Sequence, residues 1–256
     1  MALFVTIHLH NETAGKTGDY AAWFDGPHRE ALARLRGFLK ADRFEVAEEQ
    51  IMRDIPQPWR YMSVYEFDLP DPKIDLVALG PLIAEARDAG LIAGDTTERL
   101  YSYAAYSPWK ASPNWQLDKP LSGISIILAN YTIGRFEEYQ TWYDDVHSVE
   151  VSNVPGHVGM IRGQLSEIQI EPRHYCPGDQ LVMTAQQTDD LNFTIGDFSA
   201  RARGVSPSGI AMAPRSSAGS SARTVHYFKK ISGPESWPGG IAYAGDLSAY
   251  PEKASS

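Results

Sequence analysis

Four residue types able to do chemistry recur at one spacing. Tyr20, Trp23, Asp25 and His28 return as Tyr139, Trp142, Asp144 and His147, 119 positions later. An imidazole three residues beyond a carboxylate on a helix lies within its reach. A histidine so supported is a general base near neutral pH. His28 and His147 are therefore the first acid–base candidates, with Asp25 and Asp144 orienting them. Tyr20, Phe24 and His28 fall at i, i+4 and i+8, as do Tyr139, Tyr143 and His147, so each trio shares one helix face. With Trp23 and Trp142 these rings would line an aromatic pocket for substrate. The same spacing also suits a purely mechanical motif, in which rings fill the gap over a sheet and the Asp–His pair ties the helix down. Retention in both copies favours that alternative somewhat.

Other candidates lie on strands. His8 and His10 share a face of the first strand; at an offset of 120, after a one-residue slip, they match Leu128 and Asn130. His226 sits on the last strand. These three are second-rank acid–base candidates, because a strand histidine is more often a satisfied core or surface residue. Arg43 and Arg162 open the strand after the motif helix and could hold a substrate carboxylate in a bidentate fork; exposed strand-end charges are the alternative. Glu48/Glu167 and Gln50/Gln169 keep the 119 offset and read as symmetric polar contacts between sheets. No metal site is expected, since nothing has the spacing of a zinc motif. No dinucleotide or P-loop glycine motif occurs either.

These residues need elements to position them. The pattern predicts strands over 4–10, 43–52, 61–67 and 100–106, with helices over 20–35, capped by Asp19, and 75–89. It restarts with strands over 124–132, 159–170, 181–188 and 224–231 and helices over 136–151 and 191–202. Residues 204–221 form a long Ser/Gly/Ala/Pro-rich loop. The order βαββαβ is that of a ferredoxin-like unit, and a long internal period marks a duplicated unit. The expectation is an α+β chain of two such repeats, 1–107 and 121–232, joined by a linker over 108–120 and followed by an irregular tail over 233–256. A four-stranded antiparallel sheet with helices on one face must cover its other face. The two repeats would therefore meet sheet to sheet as an intrachain barrel.

The tandem βαββαβ unit resembles the dimeric α/β-barrel superfamily. Trp142-Tyr143-Asp144-Asp145-Val146-His147, followed by Val154-Pro155-Gly156, resembles the first-helix motif of its EthD-like members. In the first half Leu35-Arg36-Gly37 replaces Val154-Pro155-Gly156, so the proline is missing. The resemblance implies a small pocket between helices and sheet in each half. It also implies an activity among isomerases, cyclases, decarboxylases and monooxygenases on aromatic compounds, with haem in some relatives.

The chain has 256 residues, 43% apolar and 21% charged, enough for a real core. A net charge of −9 lacks the basic footprint of a nucleic-acid binder and suits no anionic membrane. The single cysteine, Cys176, excludes an intrachain disulfide and suits a reducing, cytoplasmic setting. No signal peptide is expected from the alternating N-terminus, and no apolar run is long enough to span a membrane. A homodimer of the whole chain is left open. The function expected from these features is a cofactor-independent lyase, of decarboxylase or deformylase type, using histidine on a small phenolic or aromatic compound. The alternatives are a haem- or oxygen-dependent monooxygenase or peroxidase, and a non-enzymatic ligand-binding barrel.

Overall fold

The computed structural model describes residues 2–94, 96–116, 119–171 and 176–232. The expected tail over 233–256 lies outside the described residues, as does His174, the nearest base in sequence to Cys176.

The strands are β1 (Ala2–His10), β2 (Phe38–Val46), β3 (Tyr61–Leu69), β4 (Arg99–Ala105), β5 (Lys110–Ala111), β6 (Gly123–Tyr131), β7 (His157–Leu165), β8 (Gln180–Gln186) and β9 (Gly219–Lys230). They hydrogen-bond in the order β4-β1-β3-β2-β9-β6-β8-β7, and β7 pairs back to β4. The result is a closed, antiparallel, eight-stranded barrel, with the two-residue β5 added beside β7. Closure leaves none of the eight long strands an open edge.

Alternation along each strand sorts residues to the two sides of the wall. Val5, Ile7 and Leu9 join Ile124, Ile126, Leu128, Leu181 and Met183 in an apolar barrel interior. Thr6, His8 and His10 point outward, beneath the helices. Those helices are α1 (Thr17–Trp23) and α2 (Arg29–Leu32), α3 (Pro72–Asp75) and α4 (Leu79–Asp88), α5 (Phe136–Trp142) and α6 (Ser148–Ser152), and α7 (Leu191–Ala202). Among the described residues no helix is long and apolar enough to cross a membrane. Asp19 is not a cap: α1 starts at Thr17, and Asp19 sits in its first turn, 2.8 Å from Lys16.

Both motif helices contain one widened, π-helical turn, Phe24–His28 and Tyr143–His147. Pro27, which has no N–H to give, and Gly26, with non-helical dihedrals, account for the first. Such turns are frequent where a helix must re-aim a functional side chain.

Register matches between the two halves. His8 pairs with Ser63 and Ile127 with Val182, both 119 residues on. The expected slip at strand one is thus corrected: His8 corresponds to Ile127 and His10 to Ala129, not to Leu128 and Asn130.

Two glutamines close the seams. The Gln50 amide brackets Tyr227 of β9, accepting from its N–H at 2.9 Å and donating to its C=O at 2.9 Å. Gln169 does the same to Ser102 of β4, at 3.0 and 2.8 Å. These are the symmetric contacts expected of the pair, made to backbone rather than to each other.

Candidate functional site

The motif places its rings as the spacing requires, but one half is filled and the other is hollow. In the first half Tyr20, Phe24 and His28 are all buried. His28 Nε2 lies 3.3 Å from the Tyr65 hydroxyl, and its ring stacks on Trp23. His8 Nε2 meets Glu98 at 2.6 Å, and Glu98 also takes Arg87. The Tyr20 hydroxyl is 3.3 Å from both His10 Nε2 and Ser63. Burial, with help from nearby His8 and Arg29, holds His28 down at a pKa of about 3. Burial, then His8, Arg43 and Arg87, likewise keeps His10 well below the usual histidine range. Burial alone would raise Glu98, but hydrogen bonds from His8 and Arg87 outweigh it and bring it to about 2. This layer is a buried polar network held together through the Nε2 atoms of its three histidines, while their Nδ1 atoms have no hydrogen-bond partner.

In the second half the same register carries smaller residues: Thr184 where Tyr65 stands, Ile127 for His8 and Ala129 for His10. A cavity of about 170 Å³ opens there between sheet and helices. Trp142, Tyr143 and His147 form its helical wall, Phe198 of α7 adds another, and Ser125, Thr184 and Tyr227 supply hydroxyls from the sheet. The His147 ring lies flat on Trp142, and its Nδ1 is 3.8 Å from Glu150 Oε2, within ion-pair range. Partial burial would raise Glu150, but His147 and the Ala213 N–H, which donates to Glu150 Oε1 at 2.5 Å, hold it below the usual carboxylate value. At 3.8 Å the His147–Glu150 contact is longer than a hydrogen bond and places a carboxylate beside the imidazole.

The expected Asp–His pairs do not form. Asp25 is drawn to Arg43 at 2.9 Å and faces Arg29 at 3.6 Å. Asp144 pairs with Arg162 at 2.9 Å and Lys110 at 3.3 Å. Strand arginines opposite the helix win these carboxylates, because a guanidinium is a full charge with several donors while a neutral imidazole offers one. Glu150, one turn after His147, takes the place expected of Asp144. The same pairs occupy Arg43 and Arg162 as anion binders. Each guanidinium also lies over motif rings, Arg43 5.4 Å from Phe24 and Arg162 4.4 Å from Tyr143. Arg162 further bonds Gln140. His226 faces the barrel interior, opposite Ile126, with Gln57 2.6 Å from its Nδ1. It is therefore on the wrong side of the wall from the cavity, and burial lowers its pKa to about 4. Tyr139 is buried beside Tyr143. Cys176 is half-buried, 3.2 Å from the Tyr103 hydroxyl.

No protein-family model and no curated protein matches the chain. Solved structures do. A protein from Lactobacillus acidophilus named as a monooxygenase matches with a TM-score of 0.54 at 9% identity, over 90% of this chain and 94% of its own. One from Fusobacterium nucleatum, also named as a monooxygenase, gives 0.50 at 8%, over 90% and 93%. An anthrone oxidase-like protein gives 0.50 at 9%, over 90% and 92%. At such identity the likeness carries the fold alone, a closed antiparallel barrel with helices outside it. It also corrects the lyase and decarboxylase expectation: these three proteins bear the names of monooxygenases and of an oxidase-like protein.

Several cavity residues escaped the sequence reading, notably Arg215, Arg223, Phe198, Met160 and Tyr227. Arg223 was within reach, since it alternates with Val225 and Tyr227 on one strand face. Arg215 sits in an irregular segment with no periodicity to flag it.

Proposed function

We propose that this protein is an oxygen-dependent oxidase or monooxygenase acting on a small phenolic compound in the second-half cavity. The observation that carries the reading is His147: a solvent-reachable imidazole, braced by Trp142 and Glu150, on an otherwise aromatic and aliphatic cavity. About 170 Å³ suits a single ring, since ~150 Å³ of apolar space holds benzene. The names borne by the structural neighbours supply the reaction class.

His147 Nε2 takes the phenolic proton. The phenolate then gives electrons from a ring carbon to dioxygen, forming a C–O bond. Loss of the ring hydrogen and cleavage of the O–O bond release water and leave a quinone. Phenol and dioxygen thus become quinone and water, with all electrons drawn from the substrate. The hydrophobic wall keeps competing water away.

Haem does not fit these residues. The cavity is well below the ~300 Å³ at which pockets for larger ligands begin, and the imidazole that lines it is packed flat on an indole. We further infer that 1–107 and 121–232 are ferredoxin-like repeats of EthD-like type, joined through 108–120 and descended from a duplication. The repeated strand order, the constant 119 offset of the pairing and the twin glutamine seams support this.

Oxygen uptake with a panel of phenols and hydroquinones, with labelled dioxygen traced into product, tests the proposal. Uptake lost in His147→Ala and label in the product support it. No uptake with any member, or uptake indifferent to His147, removes it.

A further inference from the structure

We propose that the cavity takes an aromatic carboxylate, its acid group held between Arg215 and Arg223; this rests on reading the cavity as the substrate site. Both side chains line it and both are half-buried. Among the described residues neither has an ion-pair or hydrogen-bond partner. Among the described residues the other buried or half-buried arginines are engaged: Arg29 and Arg43 with Asp25, Arg162 with Asp144, Arg87 with Glu98 and Glu171, Arg135 with Glu138, Arg201 with Asp197, and Arg99 with backbone carbonyls. In a chain of net charge −9, two guanidinium groups left without an acid mark a place meant for an outside anion.

The first half shows what that position does without a ligand. Arg223 stands opposite Ala129 on β6. Running the β1–β4 register one step beyond Leu9↔Arg99 sets Glu98 opposite His10. Ala129 corresponds to His10, so Arg223 corresponds to Glu98. One half thus carries a carboxylate there, neutralised internally by His8 and Arg87; the other carries an arginine with a cavity in front of it.

Arg215 comes from the segment between α7 and β9. Its Nη2 passes so close to Gly219 that a β-carbon there would lie 2.9 Å away, so the glycine leaves room for the guanidinium against the strand. Burial, then the like charge of Arg223, lowers the Arg215 pKa, as expected of two cations that an anion would relieve. Planar guanidinium forks match a carboxylate in geometry as well as charge. The rest of the wall, with Ile127, Val151, Met160 and Phe198, accepts an apolar ring and offers no further Arg or Lys.

Calorimetric titration of the full chain with 4-hydroxybenzoate and with 4-hydroxybenzamide tests this, because the two differ in charge and little else. The acid is expected to bind about tenfold more tightly or better. Arg215→Gln and Arg223→Gln should each reduce acid binding to the level of the amide and leave the amide unchanged, while Arg223→Lys keeps part of the preference. Equal binding of the two ligands, no binding of either, or a preference that survives both Gln variants would overturn the inference. The wild-type comparison stands even if a variant does not fold. The titrations need no dioxygen. Acid preference without oxygen uptake would keep this site and remove the oxidation; uptake of neutral phenols with no acid preference would do the reverse.

Discussion

The indole of Trp142 lies on the imidazole of His147 with 4.6 Å between ring centroids and 11° between planes, and Trp23 lies on His28 at 4.1 Å and 28°. The two stacks are alike; what faces the free side of each histidine is not. His28 is 0% exposed and meets Tyr65, whereas the His147 side chain is 23% exposed and opens on the cavity. Substituting each by alanine should therefore separate two roles. His28→Ala removes one of the Tyr65 hydroxyl's partners and leaves a void beside Trp23, and should cost about 1–3 kcal/mol of stability while activity per folded molecule persists. His147→Ala should change the melting temperature little and abolish oxygen uptake. Equal effects on stability would mean that both copies are packing.

Acid should weaken the fold before its carboxylates titrate. His10, His28, His157 and His226 are all buried, and burial leads the causes that hold each below 6.5, at about 3 for His28 and about 4 for His157 and His226. Unfolded histidines take up protons near pH 6.5 while these stay neutral in the fold. The unfolded state then binds more protons, so stability rises with pH through this window. The contribution is full above pH 6.5 and is lost progressively as pH falls toward the folded values. Carboxylates such as Glu98, with an ordinary value of 4.5, join only below that. Melting temperature should decline between pH 7 and 5, and less steeply in His226→Asn. A flat profile over that range contradicts the burial of these rings.

The barrel seams should depend on two amides. Gln50 occupies both backbone groups of Tyr227, and Gln169 both of Ser102. Alanine at either position leaves a buried N–H without its acceptor, a cost of about 1–3 kcal/mol. The two losses should add, because the seams share no partner. Denaturant unfolding measures this. Losses under about 0.5 kcal/mol would show that water replaces the amides freely.

The alternation of Val5, Ile7 and Leu9 against Thr6, His8 and His10 made β1 legible, because one face meets an apolar interior. β2 was expected to open at Arg43 but begins at Phe38. Lys40 and Asp42 break the apolar pattern, yet both are largely buried, answered by Glu66 at 3.1 Å and by Lys230 at 3.2 Å. Those partners come from β3 and β9, so no local window contains the compensation. β7 was expected to run to 170 and stops at Leu165, because the chain must turn for Gln169 to reach β4. The Asp–His spacing permitted a contact that the arginines 18 residues downstream took instead. Helical spacing says which residues share a face and nothing about rivals from another element. The hollow itself was hidden for a similar reason: it depends on Thr184 being smaller than its counterpart Tyr65, which only the strand register reveals.

That size difference gives a direct test of where ligands go. Thr184 lines the cavity and hydrogen-bonds Ser125 at 2.6 Å; Tyr65, at the matching position, extends to His28 and helps fill the first half. Thr184→Tyr should send a phenol ring toward His147 and recreate in the second half the packing already tolerated in the first. The added ring enters existing space, so the overpacking penalty of ~1–3 kcal/mol met in a closed core should be largely avoided. Ligand binding and oxygen uptake should both fall by more than about tenfold, with the melting temperature near that of the wild type. Tyr65→Thr in the first half should lower stability and leave uptake in place. Activity that survives Thr184→Tyr but not Tyr65→Thr would move the reaction to the other half of the barrel.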